Sequence, residues 1–149
     1  MHEIKKVLVP VDLAKHTDTL AEFAIYAAKK FGAQLCFFNV ARLYETKAEV
    51  ELVGYPSVQR AESKIISQAE EKMAQLMESL RPQCGDCSSK VVQGEVVDEI
   101  IAYAKKENFD LIVIGPHGPK DLQEMLLGTV AKQVVKKASC PVLTFNPYR

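Results

Sequence analysis

The sequence predicts an α/β fold, a doubly wound parallel sheet of five strands with helices on both faces. Short apolar runs typical of buried strands alternate with stretches whose apolar residues recur at helical spacing. Nine such segments follow one another in the order β-α-β-α-β-α-β-α-β. This alternation favours parallel strands joined by right-handed crossovers, which place helices on both faces of the sheet.

The strands are predicted from apolar runs rich in β-branched residues. The first and fourth runs are short and continuous, as expected for strands that are buried on both faces. The third run is weaker and follows a turn-rich stretch, and the fifth lies near the carboxyl terminus. The predicted strands are residues 7–11, 34–40, 90–92, 111–114 and 141–145.

The helices are predicted from apolar stripes that are bounded by turn residues. We expect Thr17 or Asp18 to cap the first helix, Gly32 to end it, and Pro82 to end the second. Residues 41–56 are predicted to form a long ordered loop over the carboxyl edge of the sheet. The stripes include Leu20, Ala24 and Ala28; Ile65, Met73 and Leu80; Val97 and Ile100; and Val130 and Val134.

The composition indicates one soluble globular domain, residues 1–149. Nineteen basic and nineteen acidic residues give a formal net charge of zero, which argues against broad binding to nucleic acids or anionic lipids. No apolar run has the length of a signal peptide core or of a membrane helix. Four cysteines in 149 residues are too few for a disulfide scaffold, so we expect a cytoplasmic protein in a reducing compartment.

The most informative motif follows the fourth predicted strand and has the spacing G-x2-G-x9-G-T. Gly115 would let the chain leave the strand, and Gly118 would let the backbone approach a ligand, because no Cβ stands in the way. Gly128 and Thr129 lie where the fourth helix begins, and free N–H groups at a helix start favour phosphate. Alternatively, the first two glycines only form turns and Thr129 only caps the helix. The spacing alone does not decide between these two interpretations.

An acidic residue, Asp12, follows the first predicted strand. If the first and fourth strands are neighbours, Asp12 and the glycine loop meet in one crevice at the switch point of the sheet. A carboxylate there suits a ribose hydroxyl or a hydrated Mg²⁺ ion. The alternative is a loop carboxylate that only caps local backbone.

Taken together, four segments resemble the universal stress protein family. They are residues 7–12 (VLVPVD), 111–118 (LIVIGPHG), 126–131 (LLGTVA) and 140–143 (CPVL), so the resemblance extends over essentially the whole chain. It implies a single-domain member with strand order 3-2-1-4-5, a homodimer, and ATP binding, since every glycine of the family motif is present.

The resemblance also implies roles for individual residues. Asp12 would serve the ribose and, through water, the Mg²⁺ ion that accompanies ATP. Pro10, Val11 and the backbone of Val40 would line the adenine pocket. Two positions differ from the family pattern, because Pro116 replaces a common Ser or Thr and residues 119–121 replace a basic, Ser- and Gly-rich stretch. The ribose and phosphates would be held by Gly115, His117, Gly118, Gly128, Thr129 and Val130.

Three functions are compatible with these residues. The first is an ATP-dependent regulatory stress-response protein that acts through its binding state; no catalytic residue is assigned, and slow ATP hydrolysis is left open. The second is a dimeric interaction module whose pocket is degenerate because of Pro116. The third is a thiol-based sensor that uses Cys84 and Cys87, although an idle pair or an incidental disulfide is the simpler interpretation.

A dimer is also predicted from the last strand. In the implied order, residues 142–145 form an apolar sheet edge with no charged residue, and such an edge is a pairing surface. A second copy would cover it about a twofold axis. The alternative is a monomer in which residues 41–56 or 146–149 cover the edge.

Overall fold

A computed structural model describes residues 3–42, 55–116 and 128–147. Five parallel strands form one sheet in the order β3-β2-β1-β4-β5, which confirms the predicted doubly wound topology. The strands are β1 (Lys6–Pro10), β2 (Gln34–Ala41), β3 (Ser88–Gln93), β4 (Leu111–Ile114) and β5 (Val142–Thr144). The helices are α1 (Thr17–Phe31), α2 (Tyr55–Leu80), α3 (Val96–Lys106) and α4 (Thr129–Lys137).

The sheet separates two apolar clusters, because successive side chains of a strand point to opposite faces. The α1/α2 cluster lies on one face, and its strand residues are Val7, Val9, Leu35, Phe37, Leu111 and Val113. The α3/α4 cluster lies on the other face, and its strand residues are Leu8, Cys36, Phe38, Ile112 and Ile114. The three central strands are therefore buried on both faces, which explains their continuous apolar runs.

The start of α1 differs from the prediction. Residue His16 occupies the N-cap position and Thr17 is already helical, so neither Thr17 nor Asp18 caps the helix. The Thr17 hydroxyl donates instead to Asp12, which precedes the helix. The predicted end is confirmed, since Gly32 adopts the left-handed conformation at the C-cap (φ 65°) and its N–H donates to carbonyls of the last turn.

The edge strands differ from the prediction in length. β3 begins at Ser88 rather than at residue 90, because its polar first residues already pair with Cys36 and Phe37 of β2. β5 is shorter than the predicted residues 141–145. Within the predicted loop 41–56, Ala41 ends β2 and Tyr55 begins α2, while residues 43–54 lie outside the described residues. None of the helices in the described part of the chain is long and apolar enough to cross a membrane.

Candidate functional site

The candidate site lies at the carboxyl edge of the sheet, between β1 and β4. These strands are parallel neighbours, with Val7 opposite Leu111 and Leu8 opposite Ile112, so the expected adjacency is confirmed. After β1 the chain forms α1 on one face, and after β4 it continues to α4 on the other. The two exits diverge and leave a crevice, which is where ligands bind in open α/β sheets.

Asp12 lies two residues beyond the end of β1, and its side chain is exposed at this edge. Its Oδ1 atom accepts hydrogen bonds from the Ala14 N–H (2.9 Å) and from the Thr17 hydroxyl (3.3 Å). The local capping role considered for Asp12 is therefore present. A carboxylate has two oxygens and about four acceptor positions, so this role leaves acceptor capacity for a ligand.

The next residue, Leu13, has a left-handed backbone with a φ of 60°. This conformation is uncommon for a residue with a branched side chain and costs of order 1–3 kcal/mol when surroundings impose it. Leu13 packs against the α1/α2 cluster, while the Asp12–Ala14 hydrogen bond closes the turn around it. Packing on one side and capping on the other thus fix the direction of the chain after Asp12.

A buried asparagine in β2, which the sequence analysis did not identify, holds the exit of β1 in place. The Asn39 Nδ2 donates to the Val11 carbonyl (2.8 Å), and the Val11 N–H donates to the Phe38 carbonyl (2.8 Å). Asn39 is only 6% exposed, so this bond satisfies a polar group inside the protein. The signal in the sequence was one amide within the otherwise apolar run of residues 35–41.

The three residues predicted to line an adenine pocket occupy neighbouring strand ends. Pro10 and Val11 are buried at the end of β1, and Val40 is half-buried near the end of β2. Pro10 pairs with Phe38, so β2 extends beyond β1 and presents the Val40 backbone next to the exit of Val11. The fold therefore brings these three residues to the same edge as Asp12.

Gly115 directly follows β4 and is buried. A Cβ placed on it would lie 3.5 Å from Leu20 Cδ2 and 3.7 Å from the Phe145 carbonyl oxygen, which are ordinary contact distances. The described fold alone therefore does not require glycine at this position. The contact with ribose or phosphate that the resemblance implies for Gly115 stays a prediction.

Gly128 occupies the N-cap position of α4, and Thr129 is the first helical residue. The Gly128 backbone is extended (φ −62°, ψ 162°), and no side chain among the described residues caps the helix. Gly128 is buried, Thr129 is exposed, and Val130 is half-buried against the α3/α4 cluster. The first turn of α4 contains no acidic residue, and no described side chain caps its N–H groups, which can therefore bind an anion.

Two of the predicted site residues, His117 and Gly118, lie outside the described residues, as does the variant stretch 119–121. The described chain contains no group of three or more His, Cys, Asp or Glu side chains that would hold a metal ion by themselves. A divalent cation at Asp12 would therefore depend on other ligands such as water and phosphate, which is the usual arrangement for Mg²⁺.

The four cysteines fall into two classes. Cys84 and Cys87 are joined by a disulfide in the turn between α2 and β3. Cys36 is buried and Cys140 is half-buried, and both are free thiols. Burial raises the pKa of the Cys36 and Cys140 thiols above the ordinary value, so both thiols resist ionisation. Burial also raises the pKa of the Tyr103 phenol, which is hydrogen-bonded to Cys36.

Comparison with known proteins identifies relatives of nearly the same length. Universal stress protein MJ0577 from Methanocaldococcus jannaschii is 30% identical over 154 residues, which cover 93% of each chain. The solved structure of MJ0577 matches with a TM-score of 0.74 at 27% identity and covers 97% of each chain. The universal stress protein UspA from Lactobacillus plantarum matches with a TM-score of 0.80 at 23% identity, covering 97% of this chain and 99% of that chain.

Two solved structures of the same fold contain an adenine nucleotide. A universal stress protein in complex with cAMP has a TM-score of 0.61, and an Arabidopsis thaliana family protein with AMP bound has a TM-score of 0.55. Both are 19% identical to this chain. The match with the cAMP complex covers 98% of this chain and 99% of that chain, and the match with the AMP-bound protein covers 95% and 91%. The sequence model of the universal stress protein family matches residues 3–146, and this chain therefore belongs to that family.

Proposed function

We propose that this protein binds ATP with Mg²⁺ and acts as a nucleotide-dependent regulatory protein in a stress response. The proposal rests mainly on one observation, the start of α4 at Gly128 and Thr129, where no described side chain caps the backbone N–H groups. Its free N–H groups and the positive end of the helix dipole favour phosphate oxygens, and the exposed Thr129 adds a hydroxyl. In this proposal Gly115, His117, Gly118 and Val130 complete the ribose and phosphate contacts.

The exit of β1 supports the remaining part of the nucleotide site. Asp12 supplies an exposed carboxylate for a ribose hydroxyl and, through water, for the Mg²⁺ ion. Pro10, Val11 and the Val40 backbone supply an apolar wall with main-chain polar groups for the adenine ring. The two nucleotide-containing structures of the same fold, with AMP and with cAMP, are compatible with this arrangement, but the assignment depends on the residues of this chain.

We further infer that the protein acts through its binding state rather than through fast turnover. Asp12 is the one carboxylate in the proposed set, and its Oδ1 already accepts two local hydrogen bonds. General acid–base catalysis needs a group within hydrogen-bond reach of the reacting proton and with a matched pKa. We assign no residue to that task, and bound ATP would instead bias the conformations available for partner recognition.

The same proposal includes a cytoplasmic single-domain protein that forms a homodimer through residues 142–145. β5 is an edge strand, with β4 as its only neighbour in the described sheet order. Val142 and Leu143 are half-buried, and Phe145 follows the strand with its N–H bonded to the Ile114 carbonyl. An unpaired apolar edge is a pairing surface, and a second copy of β5 would cover it.

Titration calorimetry of the purified full chain tests nucleotide binding. We expect saturable binding of ATP in the presence of Mg²⁺, weaker binding when Mg²⁺ is chelated, and weaker binding of NAD and FMN. Absence of saturation at millimolar ATP would contradict the proposal. That result would favour the dimeric module with a degenerate pocket, for which the specific feature is Pro116, a residue without an N–H group for phosphate.

A further inference from the structure

The Cys84–Cys87 disulfide lies away from the proposed nucleotide site and has no role in it. It spans the turn between Leu80, the last residue of α2, and Ser88, the first residue of β3. The chain enters the sheet here, at the amino edge of β3, whereas Asp12 and Gly115 lie at the carboxyl edge. The two sites therefore occupy opposite edges of the same parallel sheet.

Hydrogen bonds fix the backbone on both sides of the cysteine pair. The Leu80 carbonyl accepts from the N–H groups of Gln83 and Cys84, both at 2.9 Å. On the other side Ser88 pairs with Cys36, and the Ser88 hydroxyl donates to the Leu35 carbonyl (3.4 Å). None of these contacts involves a cysteine sulfur. These bonds lie on either side of the turn in which the two Cα atoms are 5.5 Å apart, and closure of the reduced pair is an intramolecular step.

A cleft beside Cys84 offers a route to this pair. Its volume is about 380 Å³, which is in the range of small-molecule sites. The end of α1 and the start of β2 form one wall, and residues 83–86 form the other. Lys29, Asp86, Gln34 and Gln83 give the cleft both charges and two amides, which suits a small peptide-like molecule. Cys84 borders the cleft and Cys87 does not.

The position of the pair favours its oxidised form. Reactive dithiols commonly open a helix, where the dipole stabilises a thiolate. Here the pair follows the carboxyl end of α2, and the Cys84 N–H is bonded to a carbonyl of its last turn. A stabilised thiolate favours the dithiol, so the lack of this stabilisation favours the disulfide. The disulfide closes a short loop, so it stabilises the fold less than a disulfide that closes a long loop.

We propose that Cys84 and Cys87 form a reversible thiol–disulfide exchange site for small disulfides of the glutathione class, with Cys84 as the residue of entry. The Cys84 thiolate attacks one sulfur of the small disulfide, forms a mixed disulfide and releases the other sulfur as a thiolate. The Cys87 thiolate then attacks the Cys84 sulfur, closes the protein disulfide and releases the second small thiolate. The protein loses two electrons and two protons, and the small disulfide becomes two thiols.

The other two cysteines serve as internal controls for this chemistry. Cys36 lies within the α3/α4 cluster and Cys140 packs against it. Because burial raises the pKa of both thiols, neither ionises readily at neutral pH. Exchange confined to the pair is therefore distinguishable from general oxidation of the chain.

The first test equilibrates the full-length protein with buffers of varied reduced-to-oxidised glutathione ratio. Free thiols are then trapped with a maleimide and counted by intact mass and peptide mapping. We expect Cys84 and Cys87 to lose two thiols together, while Cys36 and Cys140 stay reduced. Three results would overturn the proposal. The first is that Cys84 and Cys87 are never oxidised and stay fully alkylated at every ratio, and the second is that no ratio reduces their disulfide. The third is equal oxidation of all four cysteines.

The second test compares Cys87→Ser, which leaves Cys84, with Cys84→Ser, which leaves Cys87. We expect Cys87→Ser to form the mixed disulfide with oxidised glutathione about tenfold faster, because only Cys84 borders the cleft. Equal rates, or a faster Cys84→Ser protein, would overturn the assignment of Cys84 as the entry residue. Circular dichroism checks that both variants fold. If a variant does not fold, the glutathione titration of the wild-type protein still tests the exchange site.

Failure to bind ATP would contradict the proposed function and leave this site unaffected, because the two sites lie at opposite edges of the sheet.

Discussion

At the scale of single residues, Asp12 has one role that the structure establishes and one that we propose. Its Oδ1 joins the Ala14 N–H and the Thr17 hydroxyl, so it organises the turn into α1. Its exposed position at the switch point makes the same carboxylate available to ribose and Mg²⁺. A matched pair of substitutions separates these two roles, because Thr17 takes part in the turn but has no proposed contact with ribose or Mg²⁺.

We predict that Asp12→Ala weakens ATP binding and reduces its dependence on Mg²⁺, while Thr17→Val leaves both nearly unchanged. Thr17→Val loses one local hydrogen bond and Asp12→Ala loses two, at a cost of about 1 kcal/mol each in unfolding free energy. Only Asp12→Ala also removes the carboxylate. Calorimetry with and without Mg²⁺ measures the first effect and urea denaturation the second. Equal loss of ATP affinity in both variants would show that Asp12 only organises the loop.

Gly118→Val is predicted to lower ATP affinity by tenfold or more, about 1.4 kcal/mol, with the fold intact. A branched side chain would stand where the backbone has to approach phosphate. Gly85→Val is the matched control, since a Cβ at Gly85 meets no atom within 4 Å and this residue lies at the opposite sheet edge. Unchanged affinity in Gly118→Val would mean that Gly118 only forms a turn.

The sequence predicted some residues of this edge and missed others for a physical reason. Asp12 and Gly128 could be placed because each follows or begins a well-defined element. The role of Asn39 depends on a partner 28 positions earlier in the chain, the Val11 carbonyl, which no local pattern indicates. The left-handed backbone of Leu13 results from packing and capping around it, and leucine itself gives no sign of that conformation.

At the scale of elements, the extension of β2 beyond the end of β1 is what holds the site. Asn39 lies in this part of β2, and its side chain ties the strand to the exit of β1 at Val11. The amide is buried, so its removal leaves a carbonyl without its donor inside the protein. The element that supports the site is therefore the neighbour of the strand that supplies Asp12.

We predict that Asn39→Ala lowers the free energy of unfolding by about 1–3 kcal/mol and also weakens ATP binding, because the segment that leads to Asp12 loses its anchor. Gln93→Ala is the control, since Gln93 is exposed at the end of neighbouring β3. Urea denaturation and calorimetry measure the two effects. A stability like that of the wild-type protein would indicate that water replaces the amide at Val11.

How accurately each strand could be located in the sequence depends on how completely the sheet buries it. β1 and β4 are covered by clusters on both faces, so nearly every residue is apolar and the run is plain in the sequence. β3 lies at the other edge and begins with three exposed residues, so its start could not be placed from apolarity. Its true start is fixed by pairing with β2, a tertiary contact that no local pattern contains.

At the scale of the whole molecule, the two edges of the sheet differ in chemistry. β3 presents the exposed polar residues Ser88, Ser89 and Lys90, whereas β5 consists of Val142, Leu143 and Thr144. Charge and polarity protect an edge from pairing, and their absence leaves it open to a partner strand. This asymmetry favours association through β5 rather than through β3.

We predict that the wild-type protein is a dimer at tens of micromolar and that Leu143→Lys or Thr144→Pro shifts it toward monomer. A charge or a missing N–H at the edge opposes strand pairing. Ser89→Lys, an exposed position on the opposite edge, is expected to leave the dimer unchanged. Sedimentation velocity measures all four proteins. A monomeric wild-type protein would contradict the proposed assembly.

The sheet that separates the two clusters also has an evolutionary consequence. Along β1, Val7 and Val9 belong to the α1/α2 cluster while Leu8, between them, belongs to the α3/α4 cluster. A change of side-chain volume at Leu8 can be compensated by a neighbour in its own cluster, such as Ile112, but not by the adjacent Val7. Residues in contact couple energetically, and separated ones act independently. Each face can therefore drift in sequence at its own pace, while the backbone between them keeps the same shape.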